Sequence, residues 1–247
     1  MIPLKSKEDL EMLRLSGKIL AKIMQRLREF IKASVSTEEI DRLVEELVRK
    51  ENAIPAFKGY RGFPANICTS VNEEIVHGIP GERRLKEGDI ISLDLGINYE
   101  GYFSDAAITL AVGKVKPRIK KLIEVTKTAL SEGIKHARVN NHLFDISYAI
   151  QSCVEKHGFA VVREFVGHGI GLSLHEEPEI PNFGKPKGGP LLKAGMVFAI
   201  EPMVNMGTWE SEISGNGWTA VTKDGLASAH FEHTVAITEN GPAILTN

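Results

Sequence analysis

Leu85-Lys-Glu-Gly-Asp-Ile-Ile-Ser-Leu-Asp94 and Leu192-Lys-Ala-Gly-Met-Val-Phe-Ala-Ile-Glu201 follow one pattern. Leucine, lysine and glycine recur at matching places, an apolar run follows, and each copy ends on a carboxylate. Glycine ahead of a short apolar run marks a turn that enters a largely buried strand. A match this short arises by chance unless the flanking sequence repeats in the same register.

The flanks do repeat. Leu10, Leu13, Gly17, Leu20, Met24, Leu27 and Ile31 fall at helical spacing behind a capping signal from Ser6 and Asp9, so residues 6–31 read as a helix. Ser36 and Glu39 open a second helix carried by Ile40, Leu43, Val44, Leu47 and Val48. β-rich segments follow at residues 66–71, 88–97 and 102–112. Ile119, Leu122, Ile123, Leu130, Ile134 and Ala137 then mark a third helix, and Leu143, Ile146, Ile150, Cys153 and Val154 a fourth. Strands are expected again at residues 160–166, 196–201, 217–221 and 231–238. The chain reads as one α+β domain over residues 1–247 with an internal repeat, roughly 1–112 and 113–247. Two similar halves naturally meet around one central site.

Bulk properties narrow the function. A chain of 247 residues, 43% hydrophobic and 25% charged, can bury a sizeable core. Its apolar runs fall far short of a membrane span, and Lys5, Lys7, Glu8, Asp9 and Glu11 stand where a signal peptide needs an apolar stretch. A cytoplasmic protein with no membrane partner is expected. Cys68 and Cys153 are too few for a disulfide framework, a disulfide-linked partner or a cysteine-based zinc site. A net charge of −2 leaves no broad footprint for nucleic acid. Lys114, Lys116, Arg118, Lys120 and Lys121 are the local exception, readable as a solvated turn before a helix starting at Pro117 or as an RNA-contacting patch.

Both repeat carboxylates, Asp94 and Glu201, sit in apolar strands, where an ionised carboxylate needs strong hydrogen bonds, a cation or a proton. Taken singly, either fits a satisfied structural role as well as a catalytic one. A hairpin closed symmetrically at Asn98-Tyr-Glu-Gly101 places Asp94 directly opposite Asp105, a like-charge pair that a divalent cation would reconcile. A slipped register would separate them. Gly167-His-Gly-Ile-Gly171 and Leu174-His-Glu-Glu-Pro178 offer nitrogen ligands, and Ala229-His-Phe-Glu-His-Thr234 a further carboxylate, the mixture that suits first-row divalent metals. Other chemistries lose their cues. His175-Glu-Glu-Pro-Glu179 is not the zinc-protease helix motif, the glycines around His168 lack Walker and dinucleotide spacing, and no G-x-S-x-G elbow occurs. Metal-assisted hydrolysis remains.

These residues resemble the type I methionine aminopeptidases, which have the pita-bread fold. The resemblance covers essentially the whole chain and rests on Asn72-Glu-Glu-Ile-Val-His-Gly-Ile-Pro80, Asp94 with Asp105, Gly167-His-Gly-Ile-Gly171, His175-Glu-Glu-Pro178, Ile200-Glu-Pro-Met203 and Phe231-Glu-His-Thr234. It implies two pseudo-symmetric halves around a central antiparallel sheet, and removal of N-terminal methionine from nascent polypeptides with a small second residue preferred. It further implies that Asp94, Asp105, His168, Glu201 and Glu232 bind two divalent metals (cobalt, manganese, iron or zinc), with Asp105 and Glu232 bridging and a bridging water as nucleophile. Glu201 would help take the water's proton, and His77 and His175 would contact the peptide. Tyr60, Phe63, Cys68 and Trp218 would shape the methionine pocket. Phe57 and Leu174 depart from well-known bacterial members, which carry cysteine and an aromatic residue there; they keep the pocket apolar and redistribute its volume.

Prolidases share the five ligands and usually carry an additional N-terminal domain, whereas the first helix here is expected by Ser6. Type II methionine aminopeptidases insert a helical subdomain for which the stretch between His175 and Glu201 leaves no room. A non-catalytic peptide- or RNA-binding relative would have lost ligands that this chain retains. The Lys114 to Lys121 patch could dock the enzyme near a ribosome. Residues 138–143 replace a proline-glycine turn common in the family and suggest no function.

Overall fold

The computed structural model describes residues 2–247 of the chain. Both predicted capping boxes form. The Ser6 hydroxyl accepts from the Asp9 N–H and the Asp9 carboxylate from the Ser6 N–H, opening helix α1, Lys7–Phe30. Ser36 and Glu39 repeat the exchange for α2, Thr37–Lys50. Each box satisfies amide donors that a first helical turn leaves without partners. Helix α3, Pro117–His136, starts on proline, whose missing N–H costs nothing there, and α4 spans Leu143–Glu155. The apolar stripes read from spacing are the buried faces, including Leu20 and Leu27 of α1, Ile40 and Val44 of α2, Leu122 of α3 and Ile150 of α4. Among the described residues no helix is long and apolar enough to cross a membrane.

The sequence repeat is a repeat of hydrogen bonds. Leu85 N–H donates to Val35 O at 2.9 Å and Ser34 N–H to Leu85 O at 2.8 Å, just ahead of α2. Leu192 N–H donates to Asn141 O at 2.8 Å and Asn140 N–H to Leu192 O at 3.2 Å, just ahead of α4. Ser34 and Asn140 share a left-handed backbone, φ 74° and 71°, and so do Gly88 and Gly195, φ 94° and 92°. Glycine takes that conformation without steric cost. Residues 138–143 are thus the second copy of the connector between α1 and α2.

Each apolar run then enters a strand. Ile90–Tyr99 pairs on one side with Tyr102–Ala111 and on the other with Ile54–Pro55 and Cys68–Val71. Val197–Ile200 lies between Gly167–Gly169 and His233–Thr238. Among the described residues every ladder is antiparallel, as the pita-bread fold implies, with the strands grouped in four hydrogen-bonded sheets. Two differences from the sequence reading stand out. The strand expected at residues 160–166 ends at Val161; Val162 N–H still reaches its in-register partner Met203 O at 3.0 Å, and the chain then bends at Arg163, which stacks over Phe183 and Trp209. The strand expected at 217–221 is Ala220–Thr222, preceded by a left-handed Gly217.

The halves are stitched where Tyr102–Ala111 passes residues 230–234. Glu232 N–H donates to Ala107 O at 2.9 Å, and Asp105 N–H to Thr234 Oγ1 at 2.9 Å. That seam positions the site.

Candidate metal centre and active site

A cavity of about 160 Å³ opens at the seam. Every residue the sequence nominates for metal or substrate lines it: Asp94, Asp105, His168, Glu201 and Glu232; His77 and His175; and Phe57, Tyr60, Phe63, Cys68, Leu174 and Trp218.

One placement differs from expectation. Tyr99 faces Tyr102 across a two-residue turn at Glu100 and Gly101, φ 51° and 88°, so Asp94 faces Ala107 and Asp105 faces Gly96. Positive φ at both turn residues matches the right-handed twist of a tight hairpin, which the longer symmetric loop read from the sequence does not. The slip is two residues, so both carboxylates keep the same face as diagonal neighbours instead of directly opposed ones.

The carboxyl groups carry a charge conflict. Asp94 Oδ1 and Asp105 Oδ1 are buried and have no hydrogen-bond partner. Burial raises Asp94 to about 7, with the charge of Glu201 acting in the same direction, and raises Glu201 to about 7 as well. Asp105 and Glu232 are pushed well above the usual carboxylate range, first by burial and then by Asp94 and Asp105 respectively. Four buried carboxyls cannot all ionise without a compensating cation. Ligand atoms of Asp105, His168 and Glu232 lie within 4.8 Å of one another. His168 Nδ1 is 2.9 Å from its neighbour's carbonyl, Gly169 O, so Nδ1–H donates there and Nε2 is left as a lone-pair donor, 3.5 Å from Glu201 Oε1. Hard oxygens with one imidazole fit a divalent cation.

The flanking histidines differ in kind. Burial holds His77 at about 4 and His175 at about 3, so both are neutral near pH 7 and act as hydrogen-bonding groups, not cations. His175 Nδ1 lies 3.0 Å from the Tyr60 hydroxyl, with the two rings stacked at 5.1 Å. His77 adopts a left-handed φ of 60°, edge-on to Phe165. A residue held there against its preference marks a position the surroundings enforce.

The rest of the wall is apolar. Phe63 meets Trp218 edge-on at 5.3 Å. A Cβ on Gly96 would lie 2.7 Å from Phe57 Cε1 and 3.2 Å from Leu174 Cδ1, so strand and pocket wall touch because that residue is glycine. Cys68, opposite Asp94 in the ladder, has its thiol pushed well above its ordinary range by burial and then by Asp94, which leaves it an unreactive wall element.

Sequence reasoning missed two residues. Arg61, over the Tyr60 ring, lines the cavity. His230 is buried with its Nε2 3.4 Å from Glu201 Oε2. Its position two residues before Glu232 in a strand-like stretch, on the same face, was the available signal.

Residues 11–239 match the model of metallopeptidase family M24, whose members use divalent metal. The chain is 51% identical over 246 residues to a methionine aminopeptidase of Clostridium perfringens, covering 100% of this chain and 99% of that one. A crystal structure of methionine aminopeptidase from Thermotoga maritima superposes with a TM-score of 0.98 at 46% identity, over 100% of both chains. A prolidase from Pyrococcus furiosus shares the fold, with a TM-score of 0.79 at 26% identity over 99% of this chain and 65% of that one. Sequence and fold thus agree along the whole chain, and the chain belongs to metallopeptidase family M24, among the methionine aminopeptidases.

Proposed function

We propose that this chain, acting as a single catalytic domain in the cytoplasm, removes the N-terminal methionine of nascent polypeptides with two divalent cations. The convergence of Asp105, His168 and Glu232 beside an apolar pocket carries the reading. Asp94, Asp105, His168, Glu201 and Glu232 would hold the cations. The donor set accepts cobalt, manganese, iron or zinc. Divalent cations supply such a site with Lewis acidity and a water that ionises near neutral pH.

The chain's own groups do the rest. Glu201, one of the carboxylates lining the cavity, would take a proton from the attacking water. His77 and His175, both neutral, hydrogen-bond the scissile peptide and stabilise charge on its oxygen as the carbonyl becomes tetrahedral. Phe57, Tyr60, Phe63, Cys68, Leu174 and Trp218 take up an unbranched thioether side chain. Released methionine from Met-Gly-Ser, slower release from Met-Phe-Ser, and no cleavage of an X-Pro dipeptide are expected. Cleavage of the X-Pro dipeptide alone would make the chain a prolidase, and no cleavage of any of the three with any metal would make it a binding protein.

Lys114, Lys116, Arg118, Lys120 and Lys121 lie exposed around the start of α3 and are suited to docking on ribosomal RNA. Charge reversal there is expected to abolish salt-sensitive co-sedimentation with ribosomes; unchanged co-sedimentation would remove that partner.

A further inference from the structure

His230 is 1% exposed, and neither of its ring nitrogens has a hydrogen-bond partner. Buried polar atoms are almost always paired, so two orphans on one ring need an explanation. The internal repeat supplies it. The ladder that pairs Leu93 with Ile108 in the first half pairs Ile200 with His233 in the second, and Ser92 with Thr109 corresponds to Ala199 with Thr234. Extending that correspondence, Asp94 matches Glu201 and Asp105 matches His230.

Backbone contacts obey the same relation. Thr234 Oγ1 accepts from Asp105 N–H at 2.9 Å and donates to Asp105 O at 2.8 Å. Thr109 Oγ1 accepts from His230 N–H at 2.8 Å and donates to His230 O at 2.8 Å. His230 therefore occupies, beside Glu201, the place that Asp105 occupies beside Asp94. In the first half the pair is two carboxylates, which repel. In the second it is a carboxylate and an imidazole, which attract through an N–H.

We propose that His230 is a positioning residue for the metal centre: its Nε2 carries the proton 3.4 Å from Glu201 Oε2, and a small approach completes the N–H···O bond that fixes the orientation in which Glu201 meets metal and water. The inference rests on the metal-centre reading above. Partners that hold a metal-ligating group by its outer hydrogen bond are worth 10- to 100-fold in metal affinity, by the general behaviour of such contacts (roughly). Nδ1 carries no proton in that tautomer and has no hydrogen-bond partner.

The test is calorimetric titration of Co²⁺ into metal-stripped wild type, His230→Gln and His230→Leu, with the visible cobalt spectrum recorded on each. Glutamine keeps an N–H near the Nε2 position; leucine keeps volume and removes the donor. Wild type and His230→Gln are expected to agree within about threefold in affinity and to share one spectrum, while His230→Leu weakens binding about 10- to 100-fold and alters the spectrum. Equal affinity and an unchanged spectrum in His230→Leu would overturn the proposal while leaving the metal centre intact; no cobalt binding by wild type would overturn the centre itself. Nitrogen-15 shifts of the wild-type ring add a check independent of folding in the variants, with Nε2–H expected and Nδ1–H contradicting the proposal.

Discussion

The hydroxyl of Thr234 closes a two-bond clamp on the backbone of Asp105, accepting its N–H at 2.9 Å and donating to its carbonyl at 2.8 Å. The clamp crosses between halves and sets where an Asp105 carboxylate with one unpartnered oxygen points. Thr234→Val keeps the shape and strands both backbone groups. A stability loss of about 1–3 kcal/mol in chemical denaturation is expected, with metal affinity lower by roughly tenfold. Unchanged affinity would mean that Asp105 is aimed by its strand alone.

Metal-free protein should weaken as pH rises from about 6.5 to 8. Asp94 and Glu201, raised to about 7, and Asp105 and Glu232, raised well above the usual range, bind protons more tightly folded than unfolded. Such groups stabilise fully below their unfolded values, and that stability is lost as pH climbs through the folded ones. His77, His175, His230 and His233 are shifted downward and act in the opposite direction, but only as pH falls below the ordinary histidine value. Thermal melts of stripped enzyme should therefore show a falling Tm over this window, with a shallower fall in Asp94→Asn. A flat or rising Tm in wild type would contradict the charge conflict.

Tyr60 places His175 through the 3.0 Å contact at Nδ1. Tyr60→Phe keeps the stacked ring and removes the hydroxyl. A fall in kcat by roughly fivefold, the equivalent of ~1 kcal/mol for one hydrogen bond, is expected with little change in KM. A change in KM alone would assign Tyr60 to substrate binding.

Phe57 and Leu174 share the space above Gly96. Leu174→Phe should overfill the pocket and raise KM for Met-Gly-Ser several-fold, since overpacking costs ~1–3 kcal/mol. Adding Phe57→Cys returns volume and should recover most of the loss. Additive effects would show that the two side chains do not exchange space.

Much of this was legible in the chain because its local signals agree with the global fold. Ser6, Asp9, Ser36 and Glu39 announce two helices by chemistry that needs no tertiary contact. The repeat at Leu85 and Leu192 carries the duplicated architecture. Short strands such as Glu74–Val76 and Ser211–Ile213 escaped, since their pairing is set by distant partners and not by their own period. The register at Asp94 escaped because turn length between Tyr99 and Tyr102 depends on which residues accept positive φ. His230 was hidden in plain view, since its role emerges only when Thr109 and Thr234 are seen to clamp corresponding positions.

The most direct test of the central claim is release of free methionine from Met-Gly-Ser by EDTA-stripped enzyme as Co²⁺ or Mn²⁺ is added back, alongside Asp105→Asn. Activity that is absent without metal, rises with added metal and never appears in Asp105→Asn is the predicted result. Full methionine release by stripped enzyme, or by Asp105→Asn at wild-type rate, would contradict it.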